Sequence, residues 1–177
     1  MNIVLIGFRG TGKTTVGKAL ALKLGLEFVD ADEVINRRYG FTIDEIFKKR
    51  GESLFRSLES EVINELSKLD SRVLAVGGGG VLKYTNVKCL KRHGIIILLE
   101  ADPKTIYQRI IKDEKTETDR PRLTKRPLYE EIKELLEFRK HYYHRAADYV
   151  IKTTAKTVDI VIDEVMHHLR GGGFIPA

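Results

Sequence analysis

The segment 7–15, which reads GFRGTGKTT, constrains this chain more than any other part of it. It matches the pattern of Gly, four residues and then Gly-Lys-Thr, in which a glycine-rich loop binds phosphate groups. The apolar run 2–6 predicts a buried strand before the loop, and Val16, Leu20 and Leu24 recur at helical spacing after it. Strand, loop and helix in this order are the context that the motif requires. The segment therefore predicts a site for a nucleoside triphosphate.

The residue types of this loop explain its chemistry. Its glycines let backbone N–H groups approach phosphate oxygens, and the helix that begins near Lys13 directs its positive dipole end at the same place. Lys13 can reach the β- and γ-phosphates, and the hydroxyl of Thr14 suits Mg²⁺, which takes oxygen ligands. A turn that only joins a strand to a helix is the alternative, and Gly-Lys-Thr with these flanks disfavours it. The residues expected to contact the nucleotide are Gly10, Thr11, Gly12, Lys13, Thr14 and Thr15.

Length and composition limit the class of protein. A chain of 177 residues, with 42% hydrophobic and 32% charged residues, is expected to form one globular domain. No apolar run approaches the roughly 20 residues of a membrane span, so no membrane association is expected. Cys89 is the only cysteine, which excludes an intrachain disulfide. A phosphate loop that begins at residue 7 leaves no room for a signal peptide, so a reducing cytoplasm is the expected location.

The net charge of +6 favours anionic partners. Lys and Arg residues are spread along the chain, and no basic stripe with interleaved aromatic residues or known nucleic-acid module stands out. Nucleotides and acidic metabolites are therefore expected as partners, and nucleic acid is not.

Two carboxylates follow the second predicted strand, 27–29. In an open α/β sheet the carboxyl ends of the strands line the ligand crevice, so Asp30 and Asp32 are expected near the phosphates. One of them can orient Mg²⁺ through water, while the other can accept a hydrogen bond from an acceptor hydroxyl and take its proton. Either can instead cap the helix predicted over 33–39, and both roles can hold at once because side chains alternate in direction.

A longer helix is predicted from about Ser53 to Leu69. Its apolar stripe consists of Leu54, Leu58, Val62, Leu66 and Leu69. Arg56 and Glu59 lie off this stripe, one turn apart. The pattern by itself therefore predicts an exposed ion pair worth a few tenths of a kcal/mol.

A run of four glycines, Gly77–Gly80, follows the third predicted strand at 73–76. A turn needs one or two glycines, and each glycine loses much conformational entropy on folding. Such a run at the carboxyl end of a buried strand indicates backbone placed directly against a ligand. A plain flexible loop is the alternative.

The composition shifts between Asp113 and Arg126, where Lys, Glu, Asp, Thr and Arg dominate. Most of these side chains are expected to be solvated. The loop is nevertheless longer than most connections, and long loops in compact enzymes are often lids. An arginine on such a loop, here Arg120, can stabilise charge on a phosphoryl group during its transfer.

Arg139 falls on the apolar stripe of the next predicted helix, about Leu128 to Ala146, four residues after Leu135. Burying an unpaired charge is costly, so an arginine there requires an anion. Arginine is suited to bidentate recognition of a carboxylate. An internal ion pair, or a side chain that reaches water, is the alternative.

Five short strands that alternate with helices, with the phosphate loop after the first, predict a three-layer α/β/α domain with a parallel sheet and a lid segment. The fifth strand is predicted at 149–151, and a last helix follows it. The residues 171–177, which begin with three glycines, are expected to form a flexible tail.

The chain resembles the shikimate kinase family over essentially its whole length. The motifs that carry the resemblance occur in order: the phosphate loop, Asp30-Ala31-Asp32, the run 51–56 with Glu59, Gly77-Gly78-Gly79, Arg120-Pro121, and Arg139 followed by a tyrosine. The resemblance implies one P-loop kinase domain over 1–177 and the strand order 2-3-1-4-5. It also implies shikimate-binding helices at about 30–69, a lid at about 112–126 and a monomer.

The activity that the resemblance implies is ATP-dependent transfer of the γ-phosphoryl group to the 3-hydroxyl of shikimate, in aromatic amino acid biosynthesis. Asp32 would hold and deprotonate that hydroxyl, and Asp30 would act near Mg²⁺ together with Thr14. Arg120 would be the lid arginine, and Arg109 is a candidate for stacking on adenine.

The resemblance also assigns the acceptor contacts. Arg56 and Arg139 would bind the shikimate carboxylate, and Gly77 to Gly79 would contact the ring through backbone groups. This reverses the interpretation of Arg56 as part of an exposed ion pair, and it supplies the anion that Arg139 requires.

Two other functions stay open on the sequence. Another small-metabolite kinase of the same fold, such as a gluconate kinase, would share the phosphate loop but not the pair of carboxylate-binding arginines. A non-catalytic nucleotide-dependent binding module would keep Lys13 and Thr14 without needing Asp32 or Arg120.

Overall fold

The computed structural model describes residues 1–113 and 127–176. The strands are β1 (Asn2–Ile6), β2 (Glu27–Asp30), β3 (Arg72–Ala75), β4 (Gly94–Glu100) and β5 (Tyr149–Lys152). The helices in this part of the chain are α1 (Lys13–Leu24), α2 (Ala31–Tyr39), α3 (Ile43–Arg50), α4 (Glu52–Ser67), α5 (Tyr84–His93), α6 (Pro103–Lys112), α7 (Leu128–Ala146) and α8 (Val158–Gly171).

The five strands form one parallel sheet in the order β2-β3-β1-β4-β5, which confirms the predicted topology. The central strand β1 pairs with β3 on one side and β4 on the other, so that Ile3 lies opposite both Val73 and Ile95. Every residue of β1 is buried, as expected for a parallel strand that is covered on both faces. All five strands therefore end at the same edge of the sheet.

Alternating side chains of the sheet pack into two separate cores. On one face Ile3, Leu5 and Leu99 pack with residues of α1 and α8. On the other face Ile6 and Leu98 belong to a cluster that contains residues of α4, α5, α6 and α7. This arrangement is the predicted three-layer α/β/α domain.

Several helices begin where the sequence predicts. The Thr42 side chain and Glu45 form a capping box at the start of α3. The Asp102 side chain accepts a hydrogen bond from the Thr105 N–H and precedes Pro103, the first residue of α6. These local signals are read correctly because they depend only on residues within one turn.

The predicted apolar stripe of α4 is wrong in part. Leu54 and Leu69 are each 41% exposed, whereas Phe55 and Glu59 are buried at 4% and 3% exposure. The helix packs against α2 and α3 as well as α5. Because these contacts come from two directions, the buried face is wider than the stripe of leucines and includes Glu59.

The predicted tail, 171–177, begins inside the last helix, since Gly171 is the final residue of α8. The Phe174 N–H donates to the carbonyl of Leu169 at 2.8 Å, and the Phe174 and Ile175 side chains pack against the core on that face of the sheet. Part of the predicted tail is therefore packed. Within the residues that the structure describes, no helix is long and apolar enough to cross a membrane.

Candidate active site

The phosphate loop joins β1 to α1 at the carboxyl edge of the sheet. Gly7 has a φ of +140°, and a side chain there would overlap the backbone carbonyl of Leu99. Only glycine fits this combination of backbone angle and close approach. The loop therefore turns tightly against β4, which places its backbone at the ends of the central strands.

The amine of Lys13 lies inside the phosphate loop. Its Nζ donates to the carbonyl oxygens of Gly7 at 2.8 Å and Phe8 at 3.0 Å, and the residue is only 8% exposed. Thr11 adds a bond from its hydroxyl to the Phe8 carbonyl at 2.8 Å. Lys13 thus supports the shape of the loop in addition to the phosphate contact that the motif predicts.

Arg109 also supports the loop. Its Nη1 donates to the Gly10 carbonyl at 3.2 Å and to the Thr153 hydroxyl at 3.1 Å, while Nη2 donates to the Thr153 carbonyl at 3.0 Å. The Thr153 hydroxyl in turn donates to the Thr11 carbonyl at 3.1 Å. These in-plane bonds fix the guanidinium at the rim of the nucleotide cleft and use its edge, which is compatible with stacking on its face.

Asp30 caps a helix and also bonds to a residue of α1. Its Oδ1 accepts the Asp32 N–H at 3.0 Å and caps α2, while its Oδ2 accepts the Thr14 hydroxyl at 3.1 Å. A hydroxyl and a carboxylate at this distance are oxygen donors of the kind that Mg²⁺ prefers, together with phosphates and water. Among the described residues there is no cluster of three or more His, Cys, Asp or Glu side chains that could hold a metal by itself. The donor set therefore fits a magnesium ion brought by the nucleotide.

The nucleotide cleft has a volume of about 460 Å³ and contains most of the residues predicted for nucleotide and metal. Its lining includes Gly10, Gly12, Lys13, Thr14, Thr15, Asp30, Asp32 and Arg109. Thr11 is buried beneath the loop, where its side chain bonds to backbone.

A second, narrower cleft adjoins the first and contains every residue predicted to bind the acceptor. Its lining is Phe8, Arg9, Asp32, Ile43, Phe47, Phe55, Arg56, Glu59, Gly77, Gly78, Gly79 and Arg139. A side chain on Gly79 would overlap the Arg56 guanidinium, and one on Gly77 would come within 2.6 Å of Asp32 Oδ1. The glycine run thus brings bare backbone against charged side chains, which agrees with the ligand contact that the sequence indicates.

Arg56 is held from several sides. Its Nη1 donates to Glu59 Oε2 at 2.8 Å, and its Nε and Nη2 donate to Glu52 Oε1 at 3.2 and 3.1 Å. The guanidinium carbon also lies 5.1 Å from the ring centre of Phe55 and 5.9 Å from that of Phe47. Its side chain is only 25% exposed, so the arginine is directed into the cleft rather than into solvent.

The partner of Arg56 is a buried carboxylate, which corrects the exposed ion pair expected from the helical pattern. The pKa of Glu59 is raised from its ordinary value of 4.5 to about 7, chiefly by burial. The Asp32 carboxylate acts in the same direction, and Arg56 and Arg139 act against it. Glu59 therefore changes charge near neutral pH. The site holds a carboxyl group whose charge is sensitive to what occupies the cleft.

Arg139 is the most deeply buried cation of this cleft, at 7% exposure. Its guanidinium carbon lies 5.6 Å from the ring centre of Phe8. The Nε atom is buried and has no hydrogen-bond partner among the described residues. A buried donor without a partner is costly, so Arg139 is a candidate for binding an anionic group of a ligand.

Tyr143, one turn after Arg139, connects this arginine to the glycine run. Its hydroxyl donates to the Gly78 carbonyl at 2.7 Å, and the ring is 3% exposed. A side chain on Gly78 would lie 3.1 Å from Arg139 Nη1 and 3.3 Å from the Tyr143 hydroxyl. Burial raises the pKa of Tyr143, so its hydroxyl stays protonated and able to donate.

Comparison with known proteins identifies the family of this chain. The family model described as shikimate kinase matches residues 9–170. The chain belongs to the shikimate kinase family. Shikimate kinase of Caldanaerobacter subterraneus subsp. tengcongensis is 44% identical over 93% of this chain and 94% of its own length. That of Thermodesulfovibrio yellowstonii is 46% identical over 93% of this chain and 92% of its own.

Solved structures agree with the family. Shikimate kinase of Acinetobacter baumannii, in complex with shikimate, superposes with a TM-score of 0.90 at 36% identity, covering 97% of this chain and 93% of that one. The Aquifex aeolicus enzyme has a TM-score of 0.80 at 33% identity, covering 98% and 99%. This chain is therefore a kinase with the fold of these enzymes, which excludes the non-catalytic binding module.

The lid segment predicted at 112–126 lies largely outside the described residues. Lys112 ends α6 and Asp113 follows it, whereas Arg120 falls in the part that is not described. The role of Arg120 stays a prediction.

A larger cavity of about 800 Å³ lies between α7 and the ends of β4 and β5, and it contains none of the predicted acceptor residues.

Several residues of the clefts escaped the sequence analysis. The helical pattern predicts Glu59 on the wrong face of its helix, and it leaves Tyr142 and Tyr143 as alternatives for one position of the apolar stripe. Arg9 was given no role of its own, although it lines both clefts. The signal available for Arg9 is a charged residue inside a phosphate loop, which cannot reveal a buried partner 122 positions away in the chain.

Proposed function

We propose that this shikimate kinase transfers the γ-phosphoryl group of ATP to the 3-hydroxyl of shikimate, giving shikimate 3-phosphate and ADP. The observation that carries the proposal is the buried Arg139 Nε without a described partner, in a cleft that adjoins the phosphate loop. A carboxylate of the acceptor would satisfy this donor. Arg56, in the lining of the same cleft, gives that carboxylate a second cation.

The two arginines would orient the acceptor rather than activate it. With the carboxylate held by Arg56 and Arg139, and the ring against the backbone of Gly77 to Gly79, the reacting hydroxyl would face Asp32. Asp32 lines both clefts, so its carboxylate can accept the hydroxyl proton as the oxygen attacks phosphorus. This is catalysis chiefly by positioning and by stabilisation of charge.

The nucleotide would be held by the phosphate loop, from Gly10 to Thr15. Lys13 would exchange one of its bonds to loop carbonyls for a phosphate oxygen, and Arg109 would stack on adenine. A magnesium ion, when bound, supplies positive charge at the β- and γ-phosphates. Thr14 would contribute its hydroxyl to that ion, and Asp30 would orient its water. Arg120 would contact the phosphoryl group from the lid.

The remaining features of the proposal concern the protein as a whole. We expect one kinase domain, with the acceptor-binding helices at about 30–69, that acts as a monomer in the cytoplasm on small molecules. Neither nucleic acid nor membrane is expected as a partner. The single cysteine and the spread of basic residues along the chain support this expectation.

ADP release from Mg-ATP tests the acceptor directly. Shikimate is compared with a panel of other hydroxy acids, gluconate and nucleoside monophosphates, and wild type is compared with Arg139→Met and Arg145→Met. Arg145 is an exposed arginine on the same helix and serves as the matched control. We expect release that depends on shikimate in wild type and in the control. Turnover with gluconate but not shikimate would instead support the other class of metabolite kinase.

A further inference from the structure

We infer that Arg9 is a further catalytic residue, which contacts the phosphoryl group as it passes between the clefts, and that Glu131 positions it. The inference rests on the proposed function, because it assigns a role within that transfer. It begins from the lining of the two clefts. The residues that line both are Arg9, Asp32 and Ile43.

The phosphoryl group must cross where the two clefts meet, since one holds its donor and the other its acceptor. Among the three shared residues, Asp32 is an anion, Ile43 is apolar and Arg9 is a cation. A cation at this position faces the equatorial oxygens, on which negative charge is spread during the transfer. Arg9 therefore lies where such charge needs a donor.

Glu131 explains why Arg9 keeps this position. Arg9 Nη2 donates to Glu131 Oε1 at 3.2 Å, and the Glu131 side chain has 0% exposure. A carboxylate removed so completely from water requires a charged partner, so breaking this pair is expensive. The guanidinium has five N–H donors in a rigid plane, and one bond to Glu131 orients the whole plane.

The pair also connects two parts of the site that are far apart in sequence. Glu131 lies in the first turn of α7, the helix that carries Arg139, and Arg9 lies in the phosphate loop. The ion pair thus links the loop that holds the donor to the helix that holds the acceptor carboxylate. Glu131 is a positioning residue, because it acts through Arg9.

The chemical step balances with these residues. The acceptor oxygen forms a bond to the γ-phosphorus, and the bond from that phosphorus to the bridging oxygen of ATP breaks. The electron pair of the broken bond leaves with ADP, and the hydroxyl proton goes to Asp32. Arg9 donates hydrogen bonds to the transferred group and neither gains nor loses a proton, so its contact persists in the phosphorylated product.

If Arg9 contacts the phosphoryl group, it also contacts that group in shikimate 3-phosphate. Binding of this product therefore distinguishes a catalytic role of Arg9 from a purely structural one. Arg9→Met should lower kcat about 100-fold. It should weaken binding of shikimate 3-phosphate about 10-fold. Binding of shikimate itself should change less than twofold, because that acceptor has no phosphoryl group. Titration calorimetry with each ligand in the presence of ADP, together with steady-state kinetics, measures this split.

Companion variants separate position from charge. Arg9→Lys keeps the charge without the planar fork and should recover part of kcat. Glu131→Gln should lower kcat by about 10-fold, in the same direction as Arg9→Met, and the double variant should cost little more than Arg9→Met alone. Arg72→Met and Glu27→Gln break an arginine–glutamate pair of 2.9 Å at the opposite edge of the sheet and should leave both affinities and kcat unchanged.

Three results would overturn the inference. These are equal weakening of shikimate and shikimate 3-phosphate by Arg9→Met, an unchanged affinity for both, or additive effects of the two substitutions. If Arg9→Met fails to fold by circular dichroism, the same split measured on Arg9→Lys decides. Failure of the proposed function looks different, because wild type itself would then show no ADP release that depends on shikimate.

Discussion

The two clefts differ in how their charged side chains are satisfied. In the nucleotide cleft, Lys13 and Arg109 bond to the backbone of the phosphate loop itself. In the acceptor cleft, Arg139 keeps a buried Nε without a described partner, and Glu59 has a pKa raised to about 7. The cations of the nucleotide cleft therefore have hydrogen-bond partners within the protein even without ligand. The acceptor cleft has a buried donor without a described partner and a carboxyl group whose charge is disfavoured.

Because of this difference, we expect substitutions in the two clefts to affect activity and stability in different ways. Substitutions in the nucleotide cleft remove bonds that also shape the loop, so they should reduce activity and stability together. Substitutions in the acceptor cleft remove charges that the empty protein satisfies poorly, so they should reduce activity at little cost in stability. Four substitutions test this contrast.

The largest effect is expected for Lys13→Met in the nucleotide cleft. Turnover should fall about 1000-fold, because a charge aimed at the β- and γ-phosphates is lost. The unfolding free energy should also fall, by about 1–2 kcal/mol, since two loop carbonyls lose their donor. Steady-state kinetics and urea unfolding measure the two quantities. Lys18→Met, at an exposed position of the same helix, is the control. If Lys13→Met were inactive but as stable as wild type, the bonds of Lys13 to the loop carbonyls would not stabilise the protein, and the expected difference between the clefts would be wrong.

Arg139→Met should give the opposite combination in the acceptor cleft. We expect kcat/KM for shikimate to fall about 100-fold, because a buried cation that pairs with the carboxylate is removed. Stability should not fall, since the variant also removes a buried donor that has no described partner. Thermal unfolding with and without shikimate checks this. A loss of several kcal/mol in the ligand-free protein would mean that Arg139 is a structural residue.

Glu59→Gln tests the acceptor cleft through the pH dependence of protein stability. The folded protein holds the pKa of Glu59 near 7, above its ordinary 4.5, so folding takes up a proton between these two values. The contribution of Glu59 to stability is therefore fully present below pH 4.5, falls as pH rises to 7 and is constant above. The whole change amounts to about 3 kcal/mol at most.

Urea unfolding of wild type and Glu59→Gln between pH 4 and pH 8 measures this change. The wild-type stability minus that of the variant should decrease with pH. Glu65, on the same helix, is the matched control, because Arg38 lowers its pKa below 4.5. Its contribution should therefore rise with pH only up to about 4.5 and stay constant above that. A difference that rises with pH for Glu59 would show that the attraction of Arg56 outweighs burial.

Tyr143→Phe should have the smallest effect. It removes one hydroxyl that bonds to the Gly78 carbonyl and leaves the buried ring in place. We expect KM for shikimate to rise about fivefold, with kcat and KM for ATP nearly unchanged, because one net hydrogen bond is worth about 1 kcal/mol. Tyr142→Phe, at the next position of the helix, controls for loss of a hydroxyl. Equal changes in both KM values would refute a role specific to the acceptor cleft.

The nucleotide cleft was largely predictable because its information is local. The first strand, the phosphate loop and α1 are consecutive, and Asp30 ends the next strand at the same sheet edge. The capping role of Asp30 is confirmed, its role near Mg²⁺ stays a prediction, and its bond to the Thr14 hydroxyl was not predicted. Arg109 is predicted only to contact adenine, because its bonds to Gly10 and Thr153 join residues 99 and 44 positions apart.

The acceptor cleft was predictable from the family resemblance but not from the pattern of its helices. Arg139 was correctly placed on a buried stripe, and that position by itself required an anion. Arg56 and Glu59 were expected at the surface on the helical pattern. Their burial follows from α2 and α3 packing over one side of α4, which the spacing of apolar residues within α4 does not encode.

The sequence by itself determined where the strands lie along the chain, where the phosphate loop stands, and that Thr14 offers a hydroxyl suited to a metal. It could do so because periodicity, glycine content and helix capping act within a few residues. Only the tertiary structure decided which charges share an environment. Arg9 and Glu131 are 122 residues apart in the chain and 3.2 Å apart in space. The pKa of Glu59 likewise depends on residues of other elements. The burial and pairing of a charge depend on every element that surrounds it, so they cannot be deduced from the residues near it in the sequence.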